Sequence, residues 1–283
     1  MEIGGFVIAK TIVITGASDG IGAAAARRLK ASGHLVVVVG RSLQKTAAVA
    51  NEIKAPFLTA NFADLREVRS LANSLLSQYP RIDVLANNAG GIFGTREKTV
   101  DGFEKTIQVN HLAPFLLTHL LCQRLISSKA TVINTASVAA KLWGNINLKD
   151  LNNDLNFGSR KAYGDAKLAN ILFTRELERR YGGQGISAVA FHPGTVATNF
   201  ASESTSWIRF AYHSPMKRLA GLVTPEMGAK QLVWLAESEP KVDWKPGQYY
   251  EKGKIGRTNK QASDPTLARE LWDVTAAMLE IMQ

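Results

Sequence analysis

Short apolar runs alternate with longer helical patterns along this chain, and this alternation constrains the fold more than any other feature of the sequence. Seven runs have the character of strands, and most are continuously apolar, as in parallel strands that are buried on both faces. They cover residues 11–15, 35–39, 57–59, 83–87, 131–135, 186–191 and 248–250. Helical patterns cover residues 21–31, 43–53, 65–78, 101–126, 161–181, 225–236 and 265–282. This order predicts an α/β fold with a doubly wound, largely parallel sheet of about seven strands, in a single domain over residues 1–283.

Composition narrows the class of protein further. The 283 residues include 34 Lys and Arg against 24 Asp and Glu, which gives a net charge of +10, and 46% of them are hydrophobic. These proportions are ordinary for a globular protein and exclude disordered and fibrous classes. The single cysteine, Cys122, excludes a disulfide framework, so we expect a reducing compartment, the cytoplasm. No run of basic residues accompanies the positive charge, so a nucleic-acid partner is not expected.

A glycine-rich turn follows the first predicted strand and leads into an alanine-rich helix. Glycine allows a backbone to turn tightly and to approach a pyrophosphate, whose charge is stabilised at a helix N-terminus. The turn lies between a strand and a helix, which is the context that dinucleotide binding requires. A plain glycine turn is the alternative. The residues that we expect to contact the cofactor here are Gly16, Ser18, Asp19, Gly20, Ile21 and Gly22.

The residues after the second predicted strand indicate which nicotinamide cofactor is bound. An acidic residue near this point would hold the ribose 2′-hydroxyl of NAD, but this chain has Gly40, Arg41 and Ser42. A guanidinium forms two parallel hydrogen bonds with a phosphate, and Ser42 can add its hydroxyl. The alternative is that Arg41 is only a solvated residue at the start of a helix. We predict NADP(H) as the cofactor.

A tyrosine and a lysine form the candidate proton-transfer pair. Tyr163 and Lys167 are four residues apart in a predicted helix, so their side chains share one face. A cation one turn away favours the phenolate and lowers the pKa of a phenol, which is about 10 in isolation. Ser137 follows the predicted strand 131–135, at the sheet edge where ligands bind. An exposed aromatic–lysine pair is the alternative for so short a pattern.

Together these residues resemble the short-chain dehydrogenase/reductase family, from Thr15 to about Thr198. The resemblance implies a Rossmann-type fold and hydride transfer between NADP(H) and the carbonyl or alcohol carbon of a small molecule. The positions that match the family's catalytic tetrad are Asn110, Ser137, Tyr163 and Lys167. Two later segments resemble cofactor-binding segments of the family, and their contacts are Asn88, Ala89, Gly90, Pro193, Gly194, Val196 and Thr198.

The resemblance also implies a role for each member of the tetrad. Tyr163 would exchange a proton with the substrate oxygen, and Ser137 would stabilise the charge that develops on it. Lys167 would lower the pKa of Tyr163 and bind the nicotinamide ribose, while Asn110 would position a water that relays protons. One position departs from the family: Asn61 stands where an acidic residue often contacts adenine. We keep Asn61 as a cofactor contact and expect the nearby Asp64 to be a helix N-cap.

Within the family, the chain is similar to the branch of retinol dehydrogenases and protochlorophyllide reductases. The long spacing from Ser137 to Tyr163, the segment 145–156 and the sequence of residues 162–170 are typical of that branch. Residues 199–224 contain Trp207 and Phe210, and we expect them to form a lid over the reacting carbon. Their aromatic character predicts an apolar, bulky substrate.

Other functions and partners stay open at this point. A non-catalytic dinucleotide-sensing regulator would keep the glycine turn but would not need the tetrad. Residues 207–218 are basic and aromatic, which is compatible with peripheral contact with an anionic membrane, although we do not favour it. No apolar stretch is long enough to predict a spanning helix, and residues 1–10 do not have the pattern of a signal peptide. No metal site is predicted, and a homo-oligomer stays open.

Overall fold

The fold was analysed in a computed structural model, which describes residues 9–194 and 223–281. Eight strands form within these residues: β1 (Thr11–Thr15), β2 (Leu35–Gly40), β3 (Phe57–Thr59), β4 (Val84–Asn87), β5 (Thr131–Thr135), β6 (Ser187–His192), β7 (Tyr249–Glu251) and β8 (Lys254–Ile255). The α-helices of the same residues are α1 (Gly20–Ala31), α2 (Leu43–Glu52), α3 (Leu65–Gln78), α4 (Lys105–Ile107), α5 (Ala113–Leu120), α6 (Cys122–Ser128), α7 (Ala139–Leu142), α8 (Ser159–Tyr181), α9 (Pro225–Glu237) and α10 (Pro265–Met278).

The strands join into one sheet in the order β3-β2-β1-β4-β5-β6-β7-β8. Strands β1 to β7 pair in parallel and match the seven predicted runs. Strand β8 pairs antiparallel with β7 and is not among the predicted strands. Its two residues are too few for a pattern, and the hairpin depends on positive φ angles at Lys252 and Gly253.

Helices cover both faces of the sheet, so the predicted doubly wound architecture is confirmed. Helices α1, α2 and α9 pack on one face through residues such as Leu29, Val49 and Leu232. Helices α3, α5, α8 and α10 pack on the other face, where Phe115 and Trp272 are buried. The order of the strands reverses between β1 and β4, and a crevice opens there at the carboxyl ends of the strands.

The helical pattern predicted over residues 101–126 begins later in the structure and is divided into several helical elements. The Glu104 carboxylate accepts hydrogen bonds from the backbone N–H groups of Thr106 and Ile107, which makes it the N-cap and starts the helix late. A π-helical turn, Gln108–Leu112, then separates α4 from α5. Such a turn holds one more residue than an α turn and is common at functional sites, and this one contains Asn110.

The described residues form a single α/β domain, although the extent of that domain over residues 1–283 stays a prediction. In the same part of the chain, no helix has the length and apolar character that a bilayer crossing needs.

Candidate active site

The turn after β1 is packed directly against the turn after β4. The Thr15 hydroxyl oxygen accepts hydrogen bonds from the backbone N–H groups of Asn88 and Ala89, each at 3.0 Å. Gly16 has a φ of +64°, and a Cβ atom there would lie 2.7 Å from the Ala89 Cα atom. Only glycine fits, and the two turns form a cradle of bare backbone at the N-terminus of α1, where Asp19 is the N-cap.

The end of β2 lies beside this cradle and presents a cation. A side chain at Gly40 would collide with Ser18, whose Cβ atom is 2.7 Å from the position of a Cβ on Gly40. Arg41 is exposed and lines the same cavity as Gly16 and Gly20. Ser42 is the N-cap of α2, where its hydroxyl oxygen accepts from the Lys45 N–H, and its hydroxyl hydrogen is free to be donated.

Asn61 lines the cavity further along this edge. Its side-chain oxygen accepts a hydrogen bond from the Ala63 N–H at 3.2 Å, and its own backbone N–H donates to Glu67. The prediction that Asp64 caps a helix is confirmed, because its carboxylate accepts from the N–H of Arg66 at the start of α3.

Ser137 and Tyr163 line the same cavity. Ser137 follows β5, and its hydroxyl oxygen accepts from the Ala139 N–H at 3.2 Å. Tyr163 is in the first turns of α8 and is 5% exposed. Both side chains line the cavity, which has a volume of 710 Å³ and also takes in Asn88, Ala89 and Gly90.

Lys167 lies behind Tyr163 and is almost completely buried, with an exposed fraction of 2%. Its ammonium donates to the Thr135 carbonyl at 3.0 Å and lies 5.6 Å from the centre of the Tyr163 ring. Burial away from water disfavours the charged form and lowers the pKa of Lys167 from 10.5 to about 7. This amine can therefore gain or lose a proton near neutral pH.

Asn110 completes the cluster from beneath Gly90. Its side-chain oxygen accepts from the Gly91 N–H at 3.1 Å, and its amide donates to the carbonyls of Gly91 and Thr106. A Cβ on Gly90 would lie 2.5 Å from the Asn110 oxygen and 3.2 Å from the Lys167 nitrogen. The structure therefore brings the four residues of the predicted tetrad together, with two on the cavity wall and two behind it.

Comparisons with known proteins agree with this geometry. The short chain dehydrogenase family model matches residues 10–209 of the 283 in this chain. The chain belongs to the short-chain dehydrogenase family. A protein of Streptomyces sp. (strain C5), provisionally named daunorubicin C-13 ketoreductase DnrU, is 40% identical over 95% of this chain and 92% of its own length. Retinol dehydrogenase 14 of Mus musculus is 35% identical over 99% of this chain and 88% of its own.

A solved structure of the family also has this fold. The Pseudomonas aeruginosa RhlG/NADP active-site complex superposes with a TM-score of 0.69 and is 25% identical, over 86% of this chain and 95% of that one. The relatives place this short-chain dehydrogenase in the retinol-dehydrogenase-like branch, as its sequence predicts. It is thus an oxidoreductase that acts on CH–OH groups.

The last predicted cofactor segment is described only in part. Pro193 and Gly194 follow β6 and line the cavity, and Gly194 has a positive φ of +89°. Val196 and Thr198 lie outside the described residues, as does most of the predicted lid, residues 199–222.

Several cavity residues of this dehydrogenase are not among the predicted site residues. Leu142 and Trp143 line the cavity beside Ser137 although 60% and 41% of their surfaces are exposed. Two adjacent large apolar residues at the start of a polar segment are the sequence signal that indicates them. His192, at the end of β6, also lines the cavity, and burial lowers its pKa, so its imidazole is neutral at pH 7.

Proposed function

We propose that this dehydrogenase uses NADP(H) to interconvert a carbonyl group and a primary or secondary alcohol on a bulky, apolar substrate. The position of Ser137 and Tyr163 on one cavity, with Lys167 buried next to Tyr163, supports this more than any other observation. A nicotinamide cofactor, when bound, supplies or accepts the hydride. The protein's own residues then have to bind, orient and exchange one proton.

Each member of the tetrad has a distinct role in this proposal. Tyr163 gives its hydroxyl proton to the substrate oxygen during reduction and takes a proton from it during oxidation. Ser137 donates a hydrogen bond to the same oxygen and stabilises its developing charge. Lys167 favours the phenolate of Tyr163 and binds ribose hydroxyls. Asn110 positions a relay water through its backbone carbonyl. Its side chain is bonded to Gly91 and Thr106, whereas the carbonyl, which accepts from Asn170, has a second lone pair for the water.

The residues of the cavity fit a phosphorylated dinucleotide. The backbone cradle at Gly16 leaves room for a pyrophosphate at the N-terminus of α1. Arg41 provides a cation at the end of β2, where Gly40 provides no carboxylate to accept from a 2′-hydroxyl. Ser42 and Asn61 line the same end of the cavity and complete the proposed site for the adenosine part.

The wall around Ser137 supports an apolar substrate. Ile92, Phe93, Val138, Leu142 and Trp143 form an apolar surface on this side of the cavity. Burial of apolar area stabilises a complex by about 25 cal/mol per Å², so a substrate with extended apolar surface gains most here. The names of two relatives refer to daunorubicin and retinol, which are both bulky molecules, and retinol is largely apolar.

Two predicted features rest on the sequence alone. We keep the proposal that residues 199–224, with Trp207 and Phe210, fold over the reacting carbon and exclude water. The cytoplasmic location rests on the single cysteine, Cys122, which is free and buried.

A panel of carbonyl compounds and alcohols, offered with each of the four nicotinamide cofactors, tests this proposal. We expect turnover of large apolar carbonyls with NADPH, which is measured as the loss of NADPH absorbance. Turnover with NADH should be weaker. An absence of turnover across the panel, with NADPH binding intact, would favour the dinucleotide-sensing regulator instead.

A further inference from the structure

A chain of buried hydrogen bonds connects the C-terminal helix α10 with the tetrad. Thr275 on α10 bonds the Nε2 atom of His111 at 3.1 Å, and the Nδ1 atom of His111 bonds the Asn170 side-chain oxygen at 3.3 Å. The Asn170 amide donates to the Asn110 carbonyl at 3.0 Å and to the Thr135 carbonyl at 3.3 Å. The residues of this series of hydrogen bonds are between 0% and 4% exposed, and none of them lines the cavity. They are Thr275, His111, Asn170 and Asn110.

The two backbone carbonyls determine the direction of every bond in this chain. A carbonyl only accepts, so the NH₂ group of Asn170 must face Asn110 and Thr135, and its oxygen faces His111. Burial lowers the pKa of His111 to about 4, so the imidazole is neutral at pH 7 and carries one proton. That proton is on Nδ1, where it is donated to Asn170. Nε2 then accepts from the hydroxyl of Thr275.

At the end of this series of hydrogen bonds, Asn170 contacts the backbone that holds two residues of the tetrad. The Thr135 carbonyl that accepts from Asn170 also accepts from the Lys167 ammonium at 3.0 Å. The Asn110 carbonyl belongs to the π-helical turn. One amide group thus ties together the acceptor of Lys167 and the backbone of Asn110. It can do so only while its oxygen, and not its NH₂ group, faces His111.

We propose that Asn170 is a positioning residue for Lys167 and Asn110, and that Thr275 on α10 stabilises its orientation by donating to His111 Nε2, which keeps the imidazole proton on Nδ1. The proposal rests on the proposed function, because it concerns how the tetrad of that reaction is held. Helix α10 is itself fixed against the core, where the ring of Trp272 lies 4.7 Å from that of Phe115 and 5.7 Å from that of Phe173. A residue 164 positions away from His111 in the sequence therefore sets the geometry of proton transfer.

Replacement of the Thr275 hydroxyl is the direct test. Thr275→Val keeps the shape but removes the donor to His111 Nε2, so the imidazole proton is no longer held on Nδ1. In the other neutral tautomer an unprotonated Nδ1 faces the Asn170 oxygen and repels it, which displaces the amide from Asn110 and Thr135. We expect kcat to fall about tenfold or more, since displacements of about 1 Å can cost up to 100-fold, with KM for NADPH and substrate within about twofold of wild type. Thr275→Ser restores the hydroxyl and should restore kcat. Thr275→Ala replaces the valine variant if that one does not fold.

Thr118→Val is the matched control. Thr118 is 1% exposed, and its hydroxyl donates to the Pro114 carbonyl and accepts from Asn87. Its connection to Asn170 runs through Asn87, Asn134 and Thr174 to the backbone carbonyl of Asn170 and does not involve the side-chain amide. This variant loses a comparable hydrogen bond and should keep the wild-type kcat. A fall in kcat of equal size in Thr118→Val and Thr275→Val, or none in Thr275→Val, would overturn the proposal.

A second measurement needs neither turnover nor cofactor. In protein with ¹³C-labelled lysine, the Lys167 side-chain signal is assigned by its loss in Lys167→Met. We expect its chemical shift to change in Thr275→Val and to return in Thr275→Ser, and to stay constant in Thr118→Val. An unchanged Lys167 signal in Thr275→Val would refute the positioning role even if the proposed reaction were correct. If that signal responds as expected but wild type has no turnover, the proposed function fails and the connection to Lys167 stands.

Discussion

Lys167 is the residue whose surroundings differ most from those that its side chain prefers, because a charged amine is stabilised by water. Its side chain is buried behind Tyr163, and the only cause that lowers its pKa to about 7 is the loss of water around it. Its hydrogen bond with the Thr135 carbonyl offsets part of the cost of burial. A protein retains such a group at the expense of stability, and here the proposed gain is a proton that can move at neutral pH.

We therefore predict that Lys167→Met stabilises the cofactor-free protein while it abolishes turnover. The unfolded chain binds a proton at this lysine up to about pH 10.5, whereas the folded chain releases it near pH 7. The contribution of Lys167 to the free energy of unfolding of the wild type therefore increases as the pH rises from 7 to 10.5. The advantage of the methionine variant should be largest at or below pH 7, a few degrees in Tm, and should shrink toward pH 10. Thermal unfolding from pH 6 to 10 checks this. An advantage that grows with pH would contradict it.

Arg41 determines the choice between the two cofactors in our account. Arg41→Asp replaces a cation by a carboxylate, which repels a 2′-phosphate and accepts from a 2′-hydroxyl. We expect Kd for NADPH to rise by about 100-fold or more and Kd for NADH to fall, as measured by fluorescence titration. Lys98→Asp makes the same charge change at an exposed residue that does not line the cavity, and should leave both values unchanged. Equal affinity of wild type for NADH and NADPH would remove the role assigned to Arg41.

At the scale of elements, the segment between α7 and α8 holds the apolar wall of the cavity. The Asn259 amide donates to the Ala140 and Gly144 carbonyls at 3.0 and 2.8 Å, and the Asp165 carboxylate accepts from the Asn145 N–H at 2.6 Å. These bonds fix the backbone on both sides of Trp143, which can therefore keep a partly exposed indole at the cavity edge.

Trp143→Ala tests whether this element selects the substrate. The variant loses apolar contact area that only a large substrate reaches, so KM for a bulky carbonyl should rise about tenfold or more, with less than a twofold change for a small one. Trp234→Ala is the control, because that indole packs on Tyr250 away from the cavity. Equal effects of Trp143→Ala on large and small substrates would assign the indole to folding.

Local patterns predicted most of the elements but not the connections between them. Strands β1 to β7 and the turn at Gly16 have nearby sequence signals, namely continuous apolar runs and glycine between a strand and a helix. The π-helical turn at Asn110 has no such signal, since the same residues are compatible with an α-helix. Asn259 and Thr275 act on residues more than 100 positions away, so their roles depend on tertiary contacts that no local pattern encodes.

At the scale of the whole molecule, burial of a neutral histidine makes stability depend on pH. The pKa of His111 is about 4 in the folded protein, because burial disfavours the imidazolium. The pKa of a histidine that is not buried is 6.5. The unfolded state therefore binds more protons between these values, and stability from this residue is complete above pH 6.5 and is lost as the pH falls toward 4. The full effect is roughly 3 kcal/mol.

His111→Gln should remove this part of the acid sensitivity. The variant is less stable at pH 7, since the bonds to Asn170 and Thr275 are disturbed, but it loses less stability than wild type between pH 6.5 and 4. Urea unfolding at four pH values in this interval gives the two slopes. An identical slope in wild type and variant would show that His111 is not the group that titrates.

The central claim is that Tyr163 exchanges the substrate proton at a cavity that binds NADP(H), and Tyr163→Phe tests it most directly. Phenylalanine keeps the ring beside Lys167 but has no hydroxyl to donate. NADPH binding and turnover of the best carbonyl from the panel are measured on the same preparation. We predict Kd for NADPH within about threefold of wild type and a kcat lower by about 100-fold or more, which is the typical contribution of a positioned general acid. A variant that keeps most of the wild-type kcat would contradict the account.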